Sequence, residues 1–226
     1  MLVLAGPAGV LVGRAPVRCA APQMKQWDPI RFATTAAFFN GPTEILKRVL
    51  PQPAQDRPDG LIWSTARPDL LEWGPLDDVV MGGVSQSAFA NGVFSGTVTS
   101  ENNGGFAGCR SRALRPALDL SRYTGLRMRV RGDGNRYKLI LRDDYAWNGI
   151  AWAASFDTNK EAQDIDVPFA TFVPTLFARS VPGRKLNTRE INTVQITLSK
   201  FEYDNALNPA FTEGAFRLDI DAIEAY

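Results

Sequence analysis

Across most of this chain apolar residues recur at every second position, a pattern that builds sheets and cannot line one stripe of a helix. Leu126, Met128 and Val130 alternate with Arg127, Arg129 and Arg131. Tyr137, Leu139 and Leu141 repeat the pattern, with Ile140 adding apolar character to the opposite face. Ile150, Trp152, Ala154 and Phe156 form another row, Val194, Ile196 and Leu198 alternate with Gln195, Thr197 and Ser199, and Phe216, Leu218 and Ile220 with Arg217, Asp219 and Asp221. Residues 92–99 and 105–114 are further strand candidates. Turn signals separate them: Asn91-Gly92, Asn102-Asn103-Gly104-Gly105, Gly132-Asp133-Gly134-Asn135 and Asn148-Gly149. Short strands at this spacing, with no long helical pattern between them, predict an all-β protein: an antiparallel jelly-roll β-sandwich.

The chain contains no histidine, so no Ser-His-Asp triad, Cys-His pair, histidine base or His-metal cluster can exist in it. Two cysteines, Cys19 and Cys109, are too few for a zinc site or a disulfide framework. Lys and Arg number 25 against 24 Asp and Glu, leaving a net charge of +1 and no electrostatic case for nucleic-acid binding. These counts point away from an enzyme and imply no cofactor. Asp77 and Asp78, with Asp219 or Asp221, lack any fixed spacing of calcium ligands, and no metal site is expected.

The first 24 residues differ from the rest: small and apolar, with Arg14 and Arg18 as the charges before Lys25 and no acid before Asp28. That composition reads as an organellar transit peptide, chloroplast first and mitochondrion second. The apolar run 1–12 is too short to span a bilayer, and no transmembrane segment is expected. Residues 25–50 read as a helical arm. Asp28-Pro29 is a helix start, residues 30–39 can run as a helix to Asn40-Gly41-Pro42, and 44–50 restart a shorter one. Its large apolar residues suit packing on its own domain or docking on a partner. Pro51, Pro53 and Pro58 make 51–60 a proline-rich linker, and 61–226 forms the sandwich domain.

Three segments invite functional readings. Met81-Gly82-Gly83-Val84-Ser85 is glycine-rich but lacks the ending and the following helix of a phosphate loop, so it reads as a turn. The stretch 142–149 places Tyr145, Trp147 and Asn148 at a strand end, as a hairpin loop, as anchors for a protein partner or as a sugar-stacking platform. The stripe Arg127, Arg129, Arg131 is either a solvated face paired with acids or a partner surface. These six residues are the candidate partner contacts. Cys109, beside Arg110 in a strand pattern, reads as a buried structural thiol.

Several segments in order resemble one family. They are Leu76-Asp77-Asp78-Val79-Val80-Met81-Gly82-Gly83-Val84-Ser85-Gln86-Ser87, Phe94-Ser95-Gly96 and Glu101-Asn102-Asn103-Gly104-Gly105-Phe106-Ala107. Arg131-Gly132-Asp133-Gly134, Tyr137-Lys138-Leu139, Val167-Pro168-Phe169 and Gly214-Ala215-Phe216-Arg217-Leu218 follow. Residues 63–226 thus resemble the complex I intermediate-associated protein family, and the arm is similar to the lead-in of photosynthetic members. The resemblance implies a galactose-binding-like sandwich and a noncatalytic assembly factor or chaperone. Its partners would be protein subunits of an organellar membrane complex, respiratory complex I or a photosynthetic complex, with any peripheral membrane association made through the partner. Some relatives add a nucleotide-binding domain, but this chain has no Gly-x-Gly-x-x-Gly. The alternative is a carbohydrate-binding module, which the same sandwich can serve.

Overall fold

The computed structural model describes residues 28–40, 53–146 and 149–226. Helix α1 (Pro29–Asn40) precedes β1 (Gln55–Asp56), β2 (Leu61–Ser64), β3 (Trp73–Pro75), β4 (Gln86–Ala90), β5 (Val93–Val98), β6 (Phe106–Ser111), β7 (Leu118–Asp119) and β8 (Gly125–Arg131). Then come β9 (Arg136–Arg142), β10 (Ala151–Asp157), β11 (Gln163–Pro168), β12 (Val173–Leu176), β13 (Arg179–Ser180), β14 (Thr193–Ser199) and β15 (Gly214–Ala225). One sheet runs β11-β8-β15-β5-β4, with β2 beside the C-terminal part of β15, and the other runs β13-β12-β10-β9-β14-β6-β3. Both are antiparallel, and the expected jelly-roll sandwich is the fold this chain adopts.

The alternating rows meet between the sheets. Phe94, Leu126, Met128, Leu218 and Ile220 from one sheet face Cys109, Tyr137, Leu139, Leu141, Ile196 and Leu198 from the other, all essentially without exposure. Phe94 packs against Phe216 with centroids 4.9 Å apart, and Tyr137 stacks on Phe156 at 6.0 Å. The hydroxyl of Tyr137 reaches the sandwich end, where it donates to Asp133 Oδ2 at 3.1 Å. In β15 the inward row 216, 218, 220 resumes at 223 and 225, because the register shifts between Ile220 and Ala222. A bulge there inserts one residue and moves the inward phase by one. Cys109 lies in the core, and burial pushes its thiol well up, despite its charged neighbour Arg110.

Asp28 caps α1: its Oδ1 accepts from the amides of Ile30 (3.0 Å) and Arg31 (3.1 Å), and Pro29 takes the first helical position. The helix packs in cis. Phe38 lies against Gly74 of β3, where an added Cβ would stand 2.4 Å from its ring. Arg112 and Arg110 stack over Phe38 and Phe39, at 4.4 and 4.5 Å from the ring centroids. The shorter helix expected over 44–50 and the segment 1–24 lie outside the described residues. In the proline-rich stretch, β1 pairs in parallel with β7, and buried Arg57 donates to the carbonyls of Leu61 and Ile62.

The glycine-rich and Asp-Asp segments form one buried knot. Asp77 accepts from Arg31 of α1 (2.8 Å), from the Ser87 amide of β4 (3.0 Å) and from the Gly108 amide of β6 (3.2 Å), so it joins the arm and both sheets. Asp78 accepts from the Ser85 amide (2.9 Å) and hydroxyl (2.6 Å) and from the Gly105 amide (2.8 Å). Gly83 and Gly104 let the loops close over this carboxylate, since a Cβ at either would fall within 2.4 Å of it. Met81 to Ser85 is therefore the expected turn, entered through a short 3-10 segment (Asp78–Met81). Removing the carboxylate with Asp78→Ala strands several buried donors at once. The expected loss is about 3 kcal/mol or more, read as a lowered urea midpoint.

Candidate partner-binding faces

Of the six expected contacts, Arg127, Arg129 and Arg131 stand on the exposed outer face of β8. The neighbouring strand β11 places Asp166 opposite Arg127 and Asp164 opposite Arg129. Arg127 Nε donates to Asp166 at 2.6 Å, and Arg129 Nε to Asp164 at 2.9 Å. Hydrogen bonding from these arginines holds both carboxyls below their usual range. Arg131 faces Asp219, which is paired with Arg217, and Arg131 forms no ion pair of its own among the described residues. The stripe is thus largely a ladder of neutralised, solvated pairs.

Tyr145 sits elsewhere, beyond the end of β9 in the other sheet. It is 40% exposed, its ring lies 3.7 Å from the Arg115 guanidinium and its hydroxyl donates to the Leu114 carbonyl at 3.0 Å. Trp147 and Asn148 lie outside the described residues. The neighbouring acids serve the loop: Asp144 accepts from the Ala146 amide (2.9 Å) and Asp143 from the Asn187 amide (2.9 Å). The aromatic loop and the arginine stripe therefore belong to different sheets and do not form one site.

The sequence pattern missed a third surface, the outer face of the sheet containing β14. Thr193, Gln195 and Thr197 alternate with the core residues yet are themselves buried. Gln195 lies between Arg110 and Ile140, Thr197 between Gly108 and Lys138, and Thr193 beside Arg142. Burial pushes the Arg110 and Arg142 guanidinium groups down and takes Lys138 down to about 8. A partial signal was present: Ile140 and Ala153 lend this face apolar positions, and the polar residues that β14 contributes to it are Thr and Gln rather than Lys or Glu.

At one margin of this face the loop after β14 is tied down. Lys138 Nζ donates to the carbonyls of Phe201 and Glu202, and the Glu202 carboxylate accepts from Arg136 Nε (3.0 Å) and from the Ser155 hydroxyl. Tyr203 donates to the Ala153 carbonyl at 3.0 Å. Arg136, Ser155, Thr171, Val173, Glu202 and Tyr203 line an open cleft of about 370 Å³ there. Among the described residues, no three acid or thiol groups gather as metal ligands, and no helix is long and apolar enough to cross a membrane.

Residues 63–220 match the family model for complex I intermediate-associated protein 30. The chain belongs to that family. No curated protein sequence matches it. Among solved structures it is similar to the family 11 carbohydrate-binding module of a Clostridium thermocellum cellulosomal cellulase, with 19% identity, 69% of this chain and 87% of that one covered, and a TM-score of 0.48. An agarase is also similar, with 8% identity, coverage of 74% and 26%, and a TM-score of 0.45.

Two titrations follow from these environments. Arg127→Ala returns the Asp166 carboxyl to the ordinary aspartate range, seen by NMR titration of the side-chain carbonyl. For Lys138, the unfolded chain binds more protons than the folded one between about 8 and the ordinary lysine value. Its contribution to stability therefore rises with pH across that window. Denaturation profiles of the parent and Lys138→Met should differ by that rise, the variant being the flatter.

Proposed function

We propose that this family member is a noncatalytic assembly factor of an organellar membrane complex, respiratory complex I or a photosynthetic complex. It acts in the chloroplast ahead of the mitochondrion, given the acid-free, arginine-bearing segment 1–24. The family match over residues 63–220 carries this reading. A noncatalytic role is supported by the absence of histidine and by the structural employment of Asp77, Asp78, Asp143 and Asp144. In this reading a rigid sandwich holds a partner subunit until the next one displaces it. Tyr145, Trp147 and Asn148 are the proposed anchors, with Arg131, which has no ion pair among the described residues, and with Arg127 and Arg129 as a charged rim. Aromatic residues at loop tips suit that role because they supply contact area at low entropic cost.

The test is affinity purification of the tagged protein from its own organelle, with native gels and mass spectrometry. Co-migration with partial complexes, and absence from the finished one, is the expected result. A free monomer with no stable partner overturns the reading, and retention on a glycan array would move it to a carbohydrate-binding module. Trp147→Ala should weaken co-purification while leaving the melting temperature nearly unchanged; a large drop in melting temperature would make Trp147 a core residue.

A further inference from the structure

Two tight hairpins meet at their turns, which have the same backbone form with opposite chemistry. In the first, β12 and β13 are joined by two residues, Phe177 and Ala178, with φ of +49° and +60°. In the second, Phe201 bridges to Leu207, the Ala206 amide donates to the Tyr203 carbonyl at 2.9 Å, and Asp204 and Asn205 take φ of +54° and +68°. Left-handed positions of this kind favour Asn, Asp and Gly, and the second turn obeys that preference. The first holds a phenylalanine and an alanine where both carry a steric cost. That phenylalanine gains no burial in exchange, being 78% exposed.

The two hairpins are locked together. The Asp204 amide donates to the Ala178 carbonyl at 3.0 Å, and the Asp204 carboxylate accepts from the Ser180 amide at 2.9 Å and from the Ser180 hydroxyl. The tip is therefore a held feature of the fold. Leu176 and Phe177 are exposed at this tip, while Phe201 and Leu207, also exposed, pair with each other at the base of the second hairpin. Cations accompany them. Arg179 follows the tip directly, Arg184 and Lys185 lie further along the same segment, and Lys200 stands at the base of the second hairpin with its Nζ 5.8 Å from the Phe201 ring centroid. Of the nearby acids, Asp204 is held by Ser180 and also faces Arg179, Glu202 is turned into Arg136 and Ser155, and Glu213 lies near Lys200.

We infer that this hairpin turn is a membrane-docking tip, with Phe177 entering the headgroup region of an anionic lipid surface and Arg179, Arg184 and Lys185 meeting the lipid phosphates. A ring on a convex two-residue tip is poorly covered by a flat protein face, whereas a fluid lipid interface closes around it. Exposed aromatic and aliphatic side chains beside cations form the combination that such an interface binds. The inference goes beyond the assembly reading and does not rest on it: it gives the isolated chain its own contact with lipid.

The test is flotation of the purified full-length chain with vesicles of phosphatidylcholine alone and of phosphatidylcholine with phosphatidylglycerol. Every variant keeps the same N-terminal residues, so their contribution cancels in the comparison. The parent should float with the anionic vesicles, less so as salt is raised, and little with the neutral ones. Phe177→Asp should lower the bound fraction about fivefold or more, and Arg179→Ala should lower it less. The decisive variant is Phe177→Asn with Ala178→Gly, which supplies the residues this turn prefers. It should raise the melting temperature by a few degrees while losing vesicle binding as Phe177→Asp does. Failure of the parent to float, or full binding by the Asn-Gly variant, overturns the inference. Phe177-dependent capture of a purified subunit, or Phe177-dependent dimerisation, without any vesicle binding would assign the tip to a protein instead.

Discussion

The buried pair Asp77–Asp78 is the interaction on which the rest of the architecture hangs. A carboxylate taken out of water is costly unless donors surround it, and here the donors come from α1, β4, the loop before β4 and the start of β6. Burial raises the Asp77 carboxyl, while the bonds from Ser87, Gly108 and Arg31 oppose that rise. The backbone amides among these donors, those of Ser85, Gly105 and Gly108, are buried and would be left unsatisfied if the acids were gone. One short acidic segment therefore pins the two sheets to each other and the helical arm to both.

The two outer faces of the sandwich then diverge. On β8 and β11 the arginines and aspartates are in register, exposed and bidentate or nearly so. Pairs of that kind contribute little to stability, but they set a defined charge pattern on the surface. On the β14 side the polar residues are buried, and the cations Arg110, Lys138 and Arg142 sit where desolvation opposes their charge. Phe38 and Phe39 lie over Arg112 and Arg110 at one margin, and Tyr203 reaches Ala153 from the other. The two outer faces thus differ in both burial and charge.

Tyr145 stands near Leu114 and Arg115 at one place, and the clamped hairpins carrying Phe177 and Leu207 stand at another. The strain at Phe177 and Ala178 can be tolerated because the sandwich beneath supplies the stability and the Asp204–Ser180 contacts hold the turn.

The alternating rows, the hairpin turn at Asn91-Gly92 and the Asp28-Pro29 helix start were all legible in the sequence, because each depends on residues a few positions apart. So was the family, whose motifs appear in order. The acidic knot was visible only as a motif: Asp78 meets Gly104 and Gly105 across a long stretch of chain, and nothing local says which glycine closes over which acid. The burial of Thr193, Gln195 and Thr197 was hidden for a related reason, since a strand's pattern distinguishes its two faces without saying what lies over the polar one. The exposed ring of Phe177 was likewise hidden, because a phenylalanine between strands reads as core until the turn that carries it is seen. The amino-acid order by itself thus determined the longer alternating strands, their inward faces and the sandwich, where burial is a consequence of the pleat. Only the tertiary structure decided which acids are enclosed, which cations are desolvated and which aromatic ring is left outside, because those depend on contacts between segments far apart in the chain.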